Sequence, residues 1–364
     1  MTSPIAGPGF SAAAPDPSRS VRVGVIGLGI MGEQYVRIYQ AHPAARVTAI
    51  STRREDRLAE VGARYDVAGR HTDFRDLLAR DDVDAVCVAT PDDVHHAPVR
   101  AAIEAGKHVL CEKPFTTDLA EADDILAMLR TRPRQKLQVA FNHRWLSSYH
   151  HGAAAIRRGD IGRPVSGFAR KNDTIYVPTE MLPWAARTTP IHFLGAHDID
   201  LMRWFLAAEP VTAYARGVRG VLASRGVETW DVVHALVSFE GGAVAAFEAA
   251  WIYPNAFPTL TDSFLEVIGT EGHLHFDRKR ESIEMSTATA FTFPKTFLLS
   301  DVFGRMRGAF VECLSDFVAA VTEDTEPRVT AFDGRQVTAV LDAVTRSLVS
   351  GRPEGVVRKQ TSRD

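Results

Sequence analysis

The sequence predicts an α/β protein in which a doubly wound parallel sheet is followed by an α+β domain with a large, mostly antiparallel open sheet. Short, almost continuously apolar strands alternate with helix-patterned segments up to about residue 143, which is typical of a parallel sheet covered on both faces. A glycine cluster separates the first strand from the first helix. After about residue 145, successive strand-like segments are joined by short glycine-bearing turns, which favour antiparallel hairpins.

The N-terminal elements follow from the spacing of apolar residues. Continuous apolar runs are the candidate strands: 21–26, 47–51, 84–90, 108–111 and 137–142. Segments with apolar residues at helical spacing are the candidate helices: 31–41, 55–65, 94–105 and 118–129. This alternation predicts one nucleotide-binding domain over residues 20–143.

The remaining chain, residues 144–364, is predicted to be a substrate-binding and oligomerisation domain. Its candidate strands are 164–171, 211–218, 232–240, 243–251, 263–269, 272–276 and 282–286. Its candidate helices are 148–158, 191–206, 309–323 and 333–349. Two helices cannot cover both faces of an open sheet, so we expect the uncovered face to form a homodimer or homotetramer.

Composition excludes several classes of protein. The net charge of −3 and the absence of a long basic block argue against a nucleic-acid partner. No apolar run is long enough to span a membrane. The three cysteines fit no zinc-binding pattern, which favours reduced thiols in a cytoplasmic protein. Residues 1–19 do not resemble a signal peptide, so we expect a flexible arm or, as an alternative, an arm that packs on a partner subunit.

The glycine cluster has the spacing of a Rossmann dinucleotide site. Gly27, Gly29 and Gly32 form G-x-G-x-x-G directly between a strand and a helix, with Ile30 and Met31 inside the turn. The first glycine permits the tight turn, the second permits close approach of a pyrophosphate, and the third permits close packing of helix on strand. The helix N-terminus then offers N–H groups to the phosphates.

The end of the second strand indicates which dinucleotide is bound. An acidic residue there would favour NAD through the ribose 2′-OH. The sequence instead has Thr52, Arg53 and Arg54, and arginines pair well with a 2′-phosphate. We therefore expect NADP to be preferred, with NAD possible as the cofactor. The alternative is that both arginines are solvated and Glu55 reaches back to the ribose.

Four segments carry a family resemblance. In order, "GVIGLGIMG", "VATPDDVH", "GKHVLCEKP" and "GAHDIDLMRW" resemble the glucose-fructose oxidoreductase, inositol dehydrogenase and rhizopine-catabolism (Gfo/Idh/MocA) family. The resemblance runs from about residue 20 to the end and is most specific at Glu112-Lys113-Pro114. It implies a Rossmann domain joined to an open-sheet domain, and reversible hydride transfer between a nicotinamide and a sugar, a cyclitol or a related small molecule.

The resemblance also implies cofactor-site residues at the ends of two strands. Lys113 is expected beside the reacting substrate oxygen, with Glu112 holding both the cofactor and Lys113; the alternative is a surface ion pair. Thr90 and Pro91 are expected to line the cofactor. His95 is expected near the nicotinamide half, or else to be a surface histidine.

His197 is the general acid/base that the resemblance implies, although a buried histidine bonded to a backbone carbonyl is the alternative. Many family members carry an aspartate four residues before this histidine, where this chain has Phe193. Asp200, one helical turn after His197, is then a candidate to orient the imidazole. Further residues are candidates for the substrate wall, or for interface packing between the domains: Asn142, Arg144, Trp145, Asp173, Tyr176, Trp184, His192, Phe193 and Asp200.

Two other functions stay open at this point. One is a dinucleotide sensor or repressor without catalysis, and the other is a reductase of aromatic substrates such as dihydrodiols or biliverdin. No metal site is expected, because the paired histidines His95-His96 and His150-His151 point apart on helices and nothing completes a ligand set. No nucleophile motif is present.

Overall fold

The computed structural model describes residues 20–280 and 282–359. The predicted N-terminal arm, residues 1–19, lies outside the described residues. Within them, no helix combines the length and apolar character needed to cross a lipid bilayer.

The N-terminal half forms a six-stranded parallel sheet in the order β3-β2-β1-β4-β5-β6. Its strands are β1 (Val21–Ile26), β2 (Ala45–Ser51), β3 (Gly69–His71), β4 (Ala85–Val88), β5 (His108–Cys111) and β6 (Leu137–Val139). This strand order is that of the Rossmann fold, in which a ligand crevice opens where the order reverses, between β1 and β4. The predicted fold class is confirmed.

Five helices connect these strands: α1 (Ile30–Gln40), α2 (Glu55–Arg64), α3 (Phe74–Leu78), α4 (His96–Glu104) and α5 (Leu119–Arg130). β3 and α3 were not predicted from the sequence. β3 is only three residues long, and its sequence Gly-Arg-His contains no apolar side chain, so it forms no apolar run. The pairing of β3 with β2 creates it.

The C-terminal half contains a seven-stranded sheet and two small hairpins. The strands are β7 (Pro164–Thr174), β8 (Pro210–Val218), β9 (Val232–Phe239), β10 (Val244–Tyr253), β11 (Thr261–Gly269), β12 (His273–Asp277), β13 (Met285–Ser286), β14 (Phe291–Thr292), β15 (Ser300–Val302), β16 (Arg305–Arg307) and β17 (Glu354–Gly355). The large sheet has the order β12-β11-β7-β10-β9-β8-β17, and β13-β14 and β15-β16 form the hairpins. Only β7 and β10 pair in parallel in the large sheet, so it is mixed but mostly antiparallel.

The helices of this half are α6 (Ser147–Arg158), α7 (Ala196–Leu206), α8 (Ala309–Thr322) and α9 (Ala331–Ser350). α6, α7 and α9 pack against the large sheet, whose buried residues alternate with exposed ones along β9. The predicted helix over 191–206 is divided: Ile191–Gly195 is a π-helical turn, and α7 begins only at Ala196.

The last helices return to the nucleotide-binding half. Cys313, Leu314 and Phe317 of α8 are buried in one apolar cluster with β1 and α1. The amide of Gln138 donates to the carbonyl oxygen of Cys313 at 2.9 Å, and α9 packs on α5. The two halves are therefore joined by packed apolar surface as well as by the chain crossing between them.

Candidate active site

The glycine turn leaves an open cradle at the start of α1. Gly27 has φ of +91°, and a Cβ there would lie 2.6 Å from the carbonyl oxygen of Ala89. A Cβ on Gly32 would lie 1.8 Å from the carbonyl oxygen of Gly27, whereas one on Gly29 would meet nothing within 4 Å. Gly29 caps α1 without any side-chain hydrogen bond. The residues present therefore fit a pyrophosphate, which would occupy that space and accept from the helix N-terminus. Ile30 is exposed and Met31 half-buried at the same turn.

The arginines after β2 face solvent. Thr52 is half-buried, and Arg53 is exposed and forms no ion pair with any residue in the described ranges. Arg54 pairs with Asp56 at 2.7 Å on the surface. Arg57, which the sequence did not single out, donates to the carbonyl oxygen of Leu28 in the glycine turn at 3.0 Å. Arg57 thus braces the turn from the side of α2.

His95 is buried, at 1% exposure, so the surface-histidine alternative is wrong. Its Nδ1 lies 2.8 Å from the carbonyl oxygen of Pro114, and its Nε2 lies 3.0 Å from that of Thr90. The imidazole therefore ties the carboxyl end of β4 to the carboxyl end of β5. Thr90 and Pro91 are half-buried at the same edge.

Glu112 is fixed inside the protein and does not form a surface ion pair. One carboxylate oxygen accepts from the hydroxyl of Tyr35 on α1, and the other accepts from the backbone N–H of Lys113 at 2.9 Å. The peptide bond between Lys113 and Pro114 is cis. The glutamate thereby links the helix of the glycine turn to the backbone of Lys113.

Lys113 extends from the sheet edge into the C-terminal half. Its Nζ donates to the carbonyl oxygen of Phe193 at 2.8 Å and lies 4.0 Å from the centre of the Phe193 ring. Phe193 belongs to the π-helical turn that leads directly into α7, the helix of His197. The positive charge of Lys113 also acts on His197. Lys113 of the N-terminal half is thus held next to the turn that leads into the helix of His197.

His197 is buried and stacks on a second imidazole, that of His143, with 3.9 Å between ring centres. Burial, followed by the charges of Lys113, Lys171 and Arg278, lowers the pKa of His197 well below its usual value. Its Nδ1 has no hydrogen-bond partner among residues 20–280 and 282–359. The imidazole is therefore neutral near pH 7, which is the form of histidine that can accept a proton.

Four residues behind His197 were missed in the sequence: His143, Lys171, Asp198 and Arg278. Lys171 forms a buried ion pair with Asp198 at 2.5 Å and lies 3.4 Å from His143 Nδ1. Burial lowers the pKa of Lys171 to about 8. Arg278 Nη1 lies 3.2 Å from His143 Nε2. A signal existed in "KND" at the end of β7, because three consecutive polar residues there break the strand's alternation.

Asp173 comes from the same end of β7 and is 2% exposed. It accepts from the hydroxyl of Thr261 at 2.6 Å. Burial raises the pKa of Asp173 to about 7, against the opposing charges of Lys113 and Lys171. Asn142 is also buried, and its Oδ1 has no partner among the described residues. Both groups can therefore serve a ligand with hydroxyls.

An aromatic cluster lies beside Lys113, with Phe193 and Trp184 half-buried and Trp251 fully buried. Phe193 packs edge-on against Trp184 and against Trp251, with centre-to-centre distances of 5.9 and 5.7 Å. Trp251 was not singled out in the sequence. Tyr176, at the end of β7, is exposed.

Arg144 and Asp200 belong to one buried ion-pair cluster, which agrees with the packing alternative for these two residues. Both oxygens of Asp200 accept from Arg144, at 2.6 and 2.8 Å, and Arg144 also pairs with Asp333 at the start of α9. The prediction that Asp200 orients His197 is wrong, since its carboxylate is taken by this buried ion pair. The adjacent Trp145 packs into the core.

His192 lies behind the π-helical turn. Its Nδ1 is 2.8 Å from the hydroxyl of Thr189, and burial lowers the pKa of His192 to about 4. It lines a cavity of about 190 Å³ together with Thr188, Arg219 and Trp230. Lys113 is not among the residues that line this cavity. No group of three or more metal-ligating side chains occurs in the described residues.

Comparison with known proteins agrees with this architecture. Residues 21–141 match the family described as "Oxidoreductase family, NAD-binding Rossmann fold", and residues 149–275 match the "GFO/IDH/MocA C-terminal domain". The chain belongs to the Gfo/Idh/MocA oxidoreductase family. The resemblance predicted from the four motifs is thus confirmed.

Individual family members resemble the chain over most of its length. Myo-inositol 2-dehydrogenase of Thermotoga maritima is 28% identical over 337 residues, 91% of this chain and 97% of that protein. The 1,5-anhydro-D-fructose reductase of Ensifer adhaerens is 30% identical over 261 residues, 70% and 74% of the two chains. The crystal structure of scyllo-inositol dehydrogenase from Lactobacillus casei with bound NAD(H) and scyllo-inositol has a TM-score of 0.80 at 22% identity, covering 93% and 100% of the two chains. At that identity the last comparison supports the fold alone.

Proposed function

We propose that this Gfo/Idh/MocA protein is a dehydrogenase or reductase that uses NAD(P) and a sugar, cyclitol or related small molecule. The observation that supports it is that Lys113, at the carboxyl edge of the Rossmann sheet, reaches the carbonyl oxygen of Phe193 in the turn that leads into α7, the helix of His197. Relatives named as an inositol dehydrogenase and as an anhydrofructose reductase act on substrates of this class.

A dinucleotide held at the glycine turn would supply the hydride acceptor or donor, its nicotinamide ring. Lys113 donates a hydrogen bond to the substrate oxygen, which stabilises the negative charge that develops there. His197, held neutral by its surroundings, takes the hydroxyl proton during oxidation and returns it during reduction. Asp173 and Asn142 bind further hydroxyls. Glu112 and His95 keep the Lys113 backbone and its neighbouring strand end in place.

We propose NADP as the preferred cofactor, with NAD accepted. Arg53 supports this, because its guanidinium is exposed beyond β2 without an ion-pair partner in the described ranges. NADPH should then bind more tightly than NADH, and Arg53→Ala should remove most of the difference. Nicotinamide fluorescence titration measures both. Equal affinities in the wild type, or an unchanged ratio in the variant, would refute the preference while leaving the enzyme proposal intact.

Replacing Lys113 tests the catalytic assignment. Lys113→Ala should lower kcat about 100- to 1000-fold, the usual effect of removing one donor to a developing oxyanion. Dinucleotide affinity should change little. Lys136→Ala is the matched control, because Lys136 lies just before β6, at the amino end of the strand that pairs with β5, where it binds Asp324; this variant should leave turnover unchanged. An active Lys113→Ala enzyme would remove this residue from the chemistry.

A panel of aldoses, polyols and keto-sugars, assayed with both cofactors, tests the substrate class. A second candidate function, reduction of an aromatic substrate, is favoured by the ring cluster of Phe193, Trp184 and Trp251. Turnover of a dihydrodiol but of no sugar would select it. Dinucleotide binding without turnover of any substrate would select a sensor.

We also propose that residues 20–143 bind the dinucleotide, that residues 144–364 bind substrate, and that the chain forms a homodimer or homotetramer through the open sheet face. Leu236, Val244 and Ile268 support the last point, because all three are apolar and exposed on strands of the large sheet, with Leu236 at 49%. Leu236→Arg should shift the mass in analytical ultracentrifugation towards the monomer.

A further inference from the structure

The Lys113 amine lies against an aromatic ring, although the buried carboxylates of Asp92 and Asp173 also act on it electrostatically. Its Nζ is 4.0 Å from the Phe193 ring centre, the half-buried Trp184 packs edge-on against that ring, and the fully buried Trp251 supports it from inside the protein. Phe193 is the one half-exposed side chain between Ile191 and Asp200, so its ring faces the cleft. A substrate oxygen bound to Lys113 is therefore within contact distance of an apolar ring.

The other groups that act on this amine are polar. Asp173 and His197 both interact electrostatically with Lys113, and both are buried. The pocket around the reacting oxygen is consequently amphipathic, with hydrogen-bonding groups from β7 and α7 and an aromatic surface from the π-helical turn. Where many family members have an aspartate that can accept from hydroxyls, Phe193 can accept from none.

We propose that Phe193 determines substrate specificity: the preferred substrate is a cyclic alcohol or ketone in which a carbon next to the reacting carbon carries hydrogen or an O-alkyl group instead of a free hydroxyl. This inference rests on the proposed function. A substrate hydroxyl in contact with the ring loses its hydrogen bonds to water and gains no protein hydrogen bond in exchange, whereas a C–H or methyl group packs there favourably. Deoxy, anhydro and O-methyl sugars or cyclitols have this chemistry.

Matched substrate pairs test the proposal. D-Glucose is compared with 2-deoxy- and 2-O-methyl-D-glucose, and myo-inositol with its monodeoxy and mono-O-methyl derivatives. The wild type should favour the deoxy or O-methyl member in kcat/KM by about 10- to 100-fold, the usual effect of leaving one buried hydroxyl without a hydrogen bond. Phe193→Asp should reverse the preference. Phe193→Leu, which keeps the surface apolar, should retain it.

The possible outcomes distinguish the specificity assignment of Phe193 from the proposed function. Turnover of both members of each pair with equal kcat/KM, or a ratio unchanged by Phe193→Asp, overturns the specificity assignment and leaves the proposed function standing. Turnover of no member of any pair by the wild type, while the dinucleotide still binds, overturns the proposed function and this inference with it. A preference kept in Phe193→Leu and reversed in Phe193→Asp supports the assignment, since a general loss of folding would lower both members alike.

Discussion

The buried carboxyl of Asp173 should make the stability of the protein depend on pH in an unusual direction. An ordinary aspartate has a pKa of about 3.9, whereas burial raises that of Asp173 to about 7. Between these two values the folded chain keeps a proton that the unfolded chain has released. The folded state therefore binds more protons, and its stability falls as the pH rises from about 4 to about 7. Above pH 7 the loss is complete.

Asp173→Asn removes this pH-dependent loss of stability. It keeps the shape of the side chain and the hydrogen bond that the Thr261 hydroxyl donates. Each pKa unit corresponds to about 1.4 kcal/mol, so ionisation costs the wild type about 1.5 kcal/mol at pH 5 and about 4 kcal/mol at pH 8. The free energy of unfolding of Asp173→Asn relative to wild type should therefore rise by about 2.5 kcal/mol between pH 5 and pH 8. Urea denaturation of the protein without cofactor measures the difference.

Asp262→Asn is the matched control, on the neighbouring strand β11. Asp262 is equally buried but pairs with Arg170 at 3.0 Å and with Lys279 at 3.9 Å. Its replacement should lower stability at both pH values, because it leaves cations without their carboxylate. A stability difference for Asp173→Asn that is the same at pH 5 and pH 8 would show that Asp173 is already ionised in the folded state at pH 5.

Three further predictions follow from contacts around the site. Gly29→Ala should cost about 1 kcal/mol of stability or less, yet weaken dinucleotide binding at least tenfold because the new methyl group fills the space for the pyrophosphate. Gly32→Ala should instead destabilise the protein by about 3 kcal/mol or more, because its Cβ would overlap a backbone oxygen. Thermal melts and fluorescence titrations distinguish the two effects, and tight dinucleotide binding by Gly29→Ala would contradict a pyrophosphate site at this turn. Tyr35→Phe should destabilise by about 1–3 kcal/mol, because it leaves an oxygen of Glu112 buried without its donor, and should lower kcat more than it raises KM; wild-type kinetics would exclude a positioning role. Asp200→Asn should destabilise the protein by about 3 kcal/mol without shifting the pH profile of kcat/KM. A shifted profile would show that Asp200 does influence the imidazole of His197.

Much of the nucleotide-binding half was predictable because its signals are local. The spacing of Gly27, Gly29 and Gly32 fixes a turn between a strand and a helix that are contiguous in sequence. Glu112 and Lys113 end an apolar run, so their place at the carboxyl edge of the sheet follows from the strand alone. Each of these inferences needed no knowledge of what lies across the molecule.

The groups behind His197 were not predictable in this way, because they depend on which elements meet. The buried pair of Lys171 and Asp198 joins the end of β7 to α7, and a sequence pattern does not say that this strand and this helix adjoin. The same holds for Trp251, which reaches Phe193 because β10 packs against the π-helical turn. Such contacts are set by the topology of the second sheet.

The neighbours His143 and Arg144 show why residue type misleads when direction is unknown. A guanidinium beside Trp145 resembles a ligand-binding group, and so Arg144 was predicted to line the substrate wall. The two residues lie on one short turn and point to different partners: Arg144 reaches the carboxylates of Asp200 and Asp333, while His143 stacks on His197. The two buried carboxylates determine the direction of Arg144, because ion pairs with them hold its guanidinium. The imidazole of His143, buried between Lys171 and Arg278, instead supports His197 from behind.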